Sequence, residues 1–307
     1  GRAAKHTTLP VLGNVLLTAN ADTGELTLTA SNLEWSIVHT MSAMSAQVEV
    51  GGQATIPAQF GEWVKSLPVG TLALESNDKH AVNATVETAK ARFAGVDPEQ
   101  FPAFPSLDGD SCMVNGGALR AALAKTVFAA GTDMNRLALT GVFFEIQGET
   151  LTLAAVDGFR LSRVVMSLAA PAVSDFSGLV PAEMLRELGR LAWDDEATVT
   201  ITVNDLQNQV EFDLGDTQVV SRLIDGKFPD YRRIIPTESL YTVMLSRGNL
   251  LTAVKRAAIF AREGINAVRL ELLLEGTIRV SGTSAETGEG TTEIAAEING
   301  EGTTEPA

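Results

Sequence analysis

A chain of 307 residues and 32.4 kDa exceeds one ordinary domain and points to two or three. With 45% hydrophobic and 20% charged residues it is neither disordered nor fibrous; no apolar run reaches the ~18 residues of a membrane span and the start GRAAKHTTLP carries no secretory hydrophobic region, so a soluble cytoplasmic protein is expected. A net charge of −15 argues against a surface uniformly attractive to phosphates, and one cysteine with three scattered histidines (His6, His39, His80) excludes disulfide scaffolds and ordinary zinc sites.

Taken in chain order, the pattern repeats. LTLTASNL from Leu26 is followed by ATIPAQFGEWVKSLP around Pro57, helical over 56–68, and by EQFPAFP at Phe101. A second pass starts at the helical stretch VNGGALRAALAKTVFAA (114–130), with Leu119, Leu123, Val127 and Phe128 at helical spacing. Strands GVFFEIQ, TLTLAAV from Leu151 and FRLSRVVM come next, separated by turn residues. SGLVPAEMLRELGRL around Pro181 is helical over 180–193, with Met184, Leu185, Leu188 and Leu191 on one face. Strands ATVTITV, NQVEFDLG and TQVVSRL lead to GKFPDYRRIIP at Phe228. A third pass has a helix over 245–263 and IRVSGTSA from Ile278; TTEIAAEI reads as an exterior strand and GEGTTEPA as a frayed end.

The strand landmark recurs at offsets of 125 and 127 residues, the Pro-started helix at 124 and the Phe-Pro segment at 127. That period is the size of a domain, far above the 20 to 50 residues of solenoids. Three copies of one α+β domain are therefore expected, each with two helices against antiparallel sheets, over 1–106, 107–236 and 237–307. The same arithmetic predicts incomplete first and third copies, short by roughly 15 residues at the front and about 55 at the back.

The four helical stretches hold nine bases (Lys65, Arg120, Lys125, Arg186, Arg190, Arg247, Lys255, Arg256, Arg262) against Glu62, Glu183, Glu187 and Glu263, a net +5 that leaves −20 for the rest. Solvated helix faces of mixed charge account for this as readily as a shared phosphate-facing surface. No Gly-rich phosphate loop, nucleophile elbow or metal helix is present; Asp194, Asp195 and Glu196 read as a solvated turn rather than a carboxylate enzyme, and Cys112 as a small buried or linker residue. No cofactor, metal or catalytic residue is expected.

TLPVLGNVLL (8–17), VDGFRLS (156–162) and above all IDGKFPDYRRIIP (224–236) resemble the bacterial β sliding clamp, subunit beta of DNA polymerase III, from about Thr8 to Glu301. The resemblance implies a non-catalytic processivity factor: three clamp domains forming a half-ring, closed as a head-to-tail homodimer around duplex DNA, with helices lining the hole. Lys5, His6, Arg120, Lys125, Arg136, Arg186, Arg190, Lys255 and Arg256 would then include the DNA-facing cations. Partners would be duplex DNA without sequence preference, the polymerase III alpha subunit, the clamp loader and other proteins with a clamp-binding motif, with no membrane. Their peptides would enter a cleft between the second and third domains, formed here by Leu139, Val156, Gly158, Phe159, Arg160, Leu161, Pro229, Arg233 and Ile234, and open along one wall because the family's C-terminal tail lies beyond this sequence. Asp157-Gly158 alone reads as an ordinary hairpin turn, and Arg160 is free to pair with a local carboxylate instead. Phe93, with Ile259 and Phe260, matches the family's subunit contact, although spacing alone places the latter two equally well in a helix core; the incomplete third copy is expected to leave this chain alone without a full dimer contact.

The chain departs from the family pattern at Gln59 and Phe60, and at Ala182 and Glu183, where basic residues are often found. A clamp-like partner-binding module that does not encircle DNA is the alternative.

Overall fold

Period-two alternation governs most of the chain, and the strands form where it predicts. The structure, a computed structural model, describes residues 9–104, 107–204, 208–262, 266–273 and 276–300, and divides into two units, Gly1–Pro229 and Asp230–Ala307. The first unit begins with strands β1 (Asn14–Asn20), β2 (Glu25–Ser31), β3 (Trp35–Met41) and β4 (Gly52–Pro57). Helix α1 (Phe60–Lys65) and the ladder β5 (Ala73–Ser76), β6 (Ala81–Val86), β7 (Ala89–Ala94) follow. Next come β8 (Asp110–Asn115), α2 (Gly116–Thr126), β9 (Gly141–Gln147), β10 (Thr150–Val156), β11 (Leu161–Ser167) and β12 (Phe176–Pro181). Helix α3 (Ala182–Leu188) and strands β13 (Thr198–Asn204), β14 (Gln209–Asp213) and β15 (Thr217–Arg222) complete it.

The first two sequence copies share one eight-stranded antiparallel sheet, ordered β4-β1-β2-β3-β15-β14-β13-β8. The seam is β3 against β15, with Ile37 opposite Val219 and Ser36 opposite Val220. A four-stranded sheet, β11-β10-β9-β12, packs against its second half. Phe144 and Phe212, both fully buried, meet edge to face at 6.0 Å and join the two sheets, while Leu119 and Leu123 of α2 and Met184, Leu185 and Leu188 of α3 fill the same core.

The second unit has strand β16 (Tyr241–Leu245), helix α4 (Arg247–Ala261), β17 (Arg269–Leu273), β18 (Thr277–Ser284) and β19 (Gly288–Gly300), in the order β16-β19-β18-β17. Ala253 and Ala257 of α4 pack on Ile278, Val280 and Ile294. The strand expected over 291–298 lies inside β19, and the terminal residues 301–307 lie outside the described residues.

Three turns carry the repeat from sequence into geometry. Between β2 and β3, Asn32 Oδ1 accepts from the amides of Glu34 (3.0 Å) and Trp35 (2.8 Å). Between β10 and β11, Asp157 Oδ1 accepts from Phe159 (2.9 Å) and Arg160 (3.0 Å). Between β18 and β19, Ser284 Oγ accepts from Glu286 (3.2 Å) and Thr287 (3.3 Å). Asn32, Asp157 and Ser284 stand at the same two offsets as the strand landmark, and each supplies the side-chain acceptor that closes such a turn.

The helices are shorter than their periodicity suggests. Helix α1 starts three residues after β4 ends, and Pro68 disfavours helix at Leu67. Helix α3 stops at Gly189, after which Arg190 and Leu191 make only tight three-residue bonds to Glu187 and Leu188, so Leu191 leaves the helix. Phe128 is also displaced: α2 ends at Thr126, and the tighter turn Val127–Ala129 carries the ring away from the core, leaving it 54% exposed.

Candidate functional site

The turn that begins at Asp157 exposes a large aromatic side chain, Phe159. Val156 ends β10 directly opposite Leu161, the first residue of β11, so the chain between them must reverse within four residues. Gly158 allows this with φ near 98°, a left-handed conformation favourable only to glycine, and a Cβ there would stand 3.3 Å from Arg136 Nη1. The Asp157 carboxyl is held below the usual range, first by the Phe159 amide and then by the amide and guanidinium of Arg160, against a partial desolvation that acts the other way. Arg160 Nε lies 2.9 Å from Asp157 Oδ2, so the local carboxylate pairing foreseen for it is present.

With its backbone fixed, the turn pushes Phe159 into solvent, 96% exposed, while Val156 stays buried. Leu139 ends the 3-10 segment Met134–Leu139, is half-buried, and its carbonyl accepts from Gly131 at 2.8 Å. Gly131 lies between it and the turn, since a Cβ there would come within 3.5 Å of Leu139 Cβ and 3.7 Å of Asp157 Cβ. The turn therefore gathers Leu139, Val156, Gly158, Phe159, Arg160 and Leu161 on one part of the first unit. Pro229 is exposed at that unit's end. In the second unit Ile234 is 61% exposed and Arg233 Nε is 2.8 Å from Asp230.

The expected cations fall into distinct environments. Lys125 on α2, and Lys255 and Arg256 on α4, are exposed; Arg186 on α3 is half-buried. Arg190 is exposed and paired with Glu187. Lys5 and His6 lie outside the described residues. Arg136 pairs with Asp133 at 3.2 Å, beside the Asp157 turn. The Asp133 carboxyl is lowered first by the Asn135 amide, then by Arg136 and the Asn135 side chain.

Arg120 is engaged within its own unit. Its Nε donates to Asp195 (2.8 Å), Nη1 to the Leu191 carbonyl (3.1 Å) and Nη2 to the Trp193 carbonyl (2.9 Å), with the guanidinium 3.8 Å from the Trp193 ring centroid. The planar fork is engaged along its length, tying α2 to the segment after α3. Glycines complete the joint: Gly116 and Gly117 donate to the Ala197 and Asp195 carbonyls, and a Cβ on Gly116 would meet the Trp193 ring.

At the matched subunit-contact positions, Phe93 on edge strand β7 packs edge-on against Phe60 (5.4 Å) and Trp63 (5.7 Å). Phe60, at a departure from the family pattern, is thus part of an aromatic cluster; Ala182 is buried and Glu183 exposed at the other. On α4, Ile259 is 64% exposed, whereas Phe260 lies so close to Gly290 that any side chain there would collide with its ring. Phe260 therefore packs within its own unit. Cys112 is buried, and burial pushes its thiol up to about 11. No helix among the described residues is long and apolar enough to cross a membrane.

Repeated strand-and-helix domains with antiparallel sheets are the architecture of sliding clamps. A DNA polymerase sliding clamp from Bacillus subtilis superposes with a TM-score of 0.88 at 28% identity over 97% of this chain and 80% of that one. A DNA polymerase III beta subunit from Thermotoga maritima gives 0.85 at 26% identity over 97% and 80%. In sequence, the beta sliding clamp of Synechocystis sp. is 33% identical over 96% of this chain and 80% of its own length. The DNA polymerase III beta subunit profiles match in order: N-terminal domain at 2–105, central domain at 113–230 and C-terminal domain at 232–304. The chain belongs to the DNA polymerase III beta subunit family, the β sliding clamps.

Proposed function

We propose that the chain acts as a non-catalytic DNA polymerase processivity factor that closes with a second copy around duplex DNA. The observation that carries this reading is the ordered match of all three domain profiles from residue 2 to 304. A closed protein holds DNA by topology, so its contacts need only be weak, sequence-independent phosphate contacts. On this reading Lys125, Arg186, Arg190, Lys255 and Arg256 serve that contact, and Phe93 and Ile259 the subunit contact. Assembly should leave the protein retained on nicked circular DNA and lost from linear DNA through its ends. Equal behaviour on both would favour the alternative, a partner-binding module that does not encircle DNA, for which the recruitment of Phe60 into the aromatic cluster is the supporting observation.

The Asp157 turn is the proposed docking point for peptides of the polymerase and other partners. An exposed aromatic ring on a rigid turn is a typical interface anchor. Phe159→Ala should weaken a labelled partner peptide by about 2 kcal/mol, roughly 30-fold, in fluorescence anisotropy. Unchanged affinity in Phe159→Ala would remove the turn from the binding surface.

A further inference from the structure

Phe128 ends up in water for a local reason: Val127 and Ala129 of its 3-10 turn are buried, and the tighter winding rotates the ring between them outward. The Arg160 guanidinium carbon lies 5.5 Å from the centre of that ring, within cation–π range. The same guanidinium is held by Asp157 through Nε. Ser162 Oγ donates to the Lys125 carbonyl and so ties the start of β11 to the last turn of α2, fixing the two backbones that carry ring and guanidinium. Arg160 is thus restrained by a carboxylate and by an aromatic face, while the rest of its fork keeps donors for a second acceptor. A long side chain ordered beforehand loses less freedom when it binds a ligand.

We infer that Phe128 is a positioning residue that holds Arg160 ready for a carboxylate, so that the Asp157 turn prefers an acidic peptide to its neutral isostere. The inference rests on the peptide-docking reading of this turn, and it names the chemistry that the turn selects. The test compares two synthetic octapeptides, identical with two leucines and differing only in one aspartate or asparagine, binding to the whole chain and to Phe128→Leu and Phe128→Tyr. Leucine keeps apolar bulk without a ring quadrupole; tyrosine keeps the ring. The wild type should favour the aspartate peptide, Phe128→Leu should reduce that preference about threefold, and Phe128→Tyr should retain it. An equal loss for both peptides in Phe128→Leu would make the ring merely structural and overturn the inference, as would an unchanged preference. If the wild type bound neither peptide, the docking reading itself would fail and this inference with it; wild-type binding with an unaltered Phe128→Leu ratio would defeat the inference alone. Thermal unfolding of each variant, alongside the ratios, checks that the compared proteins are folded.

Discussion

Phe144→Ala should destabilise the first unit by about 3–5 kcal/mol, readable as a lower urea midpoint at unchanged slope. The ring is 1% exposed, lies centrally in β9 and meets Phe212 from the facing sheet, so its removal takes away apolar burial, an edge-to-face contact and the packing between sheets at one point. The neighbouring side chains belong to β-strands paired on both sides and to helices α2 and α3, so little can move inward to refill the space. Phe159→Ala removes the same atoms from a residue that is 96% exposed, and the unfolding free energy should fall by no more than about 0.5 kcal/mol. A midpoint shift as large for Phe159 as for Phe144 would mean that the turn is packed in solution, contrary to its proposed docking role.

The contrast between these two phenylalanines also marks what a sequence can reveal. Strands β9 and β10 begin and end where their composition predicts, because alternation and turn residues are local signals. The Asp157-Gly158 turn was legible for the same reason, whereas its counterparts at Asn32 and Ser284 emerge from the hydrogen bonds of the folded chain. Phe128 was not legible: its spacing from Leu119 fits a continuing helix, and only the change of winding after Thr126 places it outside. Arg120 was hidden for a different reason. Its acceptors, at Leu191, Trp193 and Asp195, are more than seventy residues away in sequence, and two of them are backbone carbonyls that no residue pattern announces. The pairing of β3 with β15 is similarly nonlocal, uniting two copies in one sheet, where repeat arithmetic sees only separate units.

That distinction between free and engaged cations sets the expected response of DNA binding to salt. Replacing Lys125, Arg186, Lys255 and Arg256 by glutamine, and so in both copies of the closed ring, should lower the magnitude of the slope of log binding constant against log salt by up to about 7, at roughly 0.9 per phosphate contact. Arg190→Gln should add less, because Glu187 already neutralises that guanidinium. Arg120→Gln removes the same formal charge with a different expected result: the slope stays unchanged, while the unfolding free energy falls by about 1–2 kcal/mol as α2 loses its tie to the Leu191 and Trp193 carbonyls. Equilibrium binding to a short linear duplex across a salt series, with urea melts of the same variants, separates the two effects. A slope change in Arg120→Gln equal to that in Lys125→Gln would mean that the guanidinium leaves Asp195 for phosphate when DNA is present. An unchanged slope in the fourfold variant would remove these helices from the DNA contact. The physical reason to expect otherwise is that counterion release counts charges that solvent ions can reach, and a cation already neutralised within the protein has few to release.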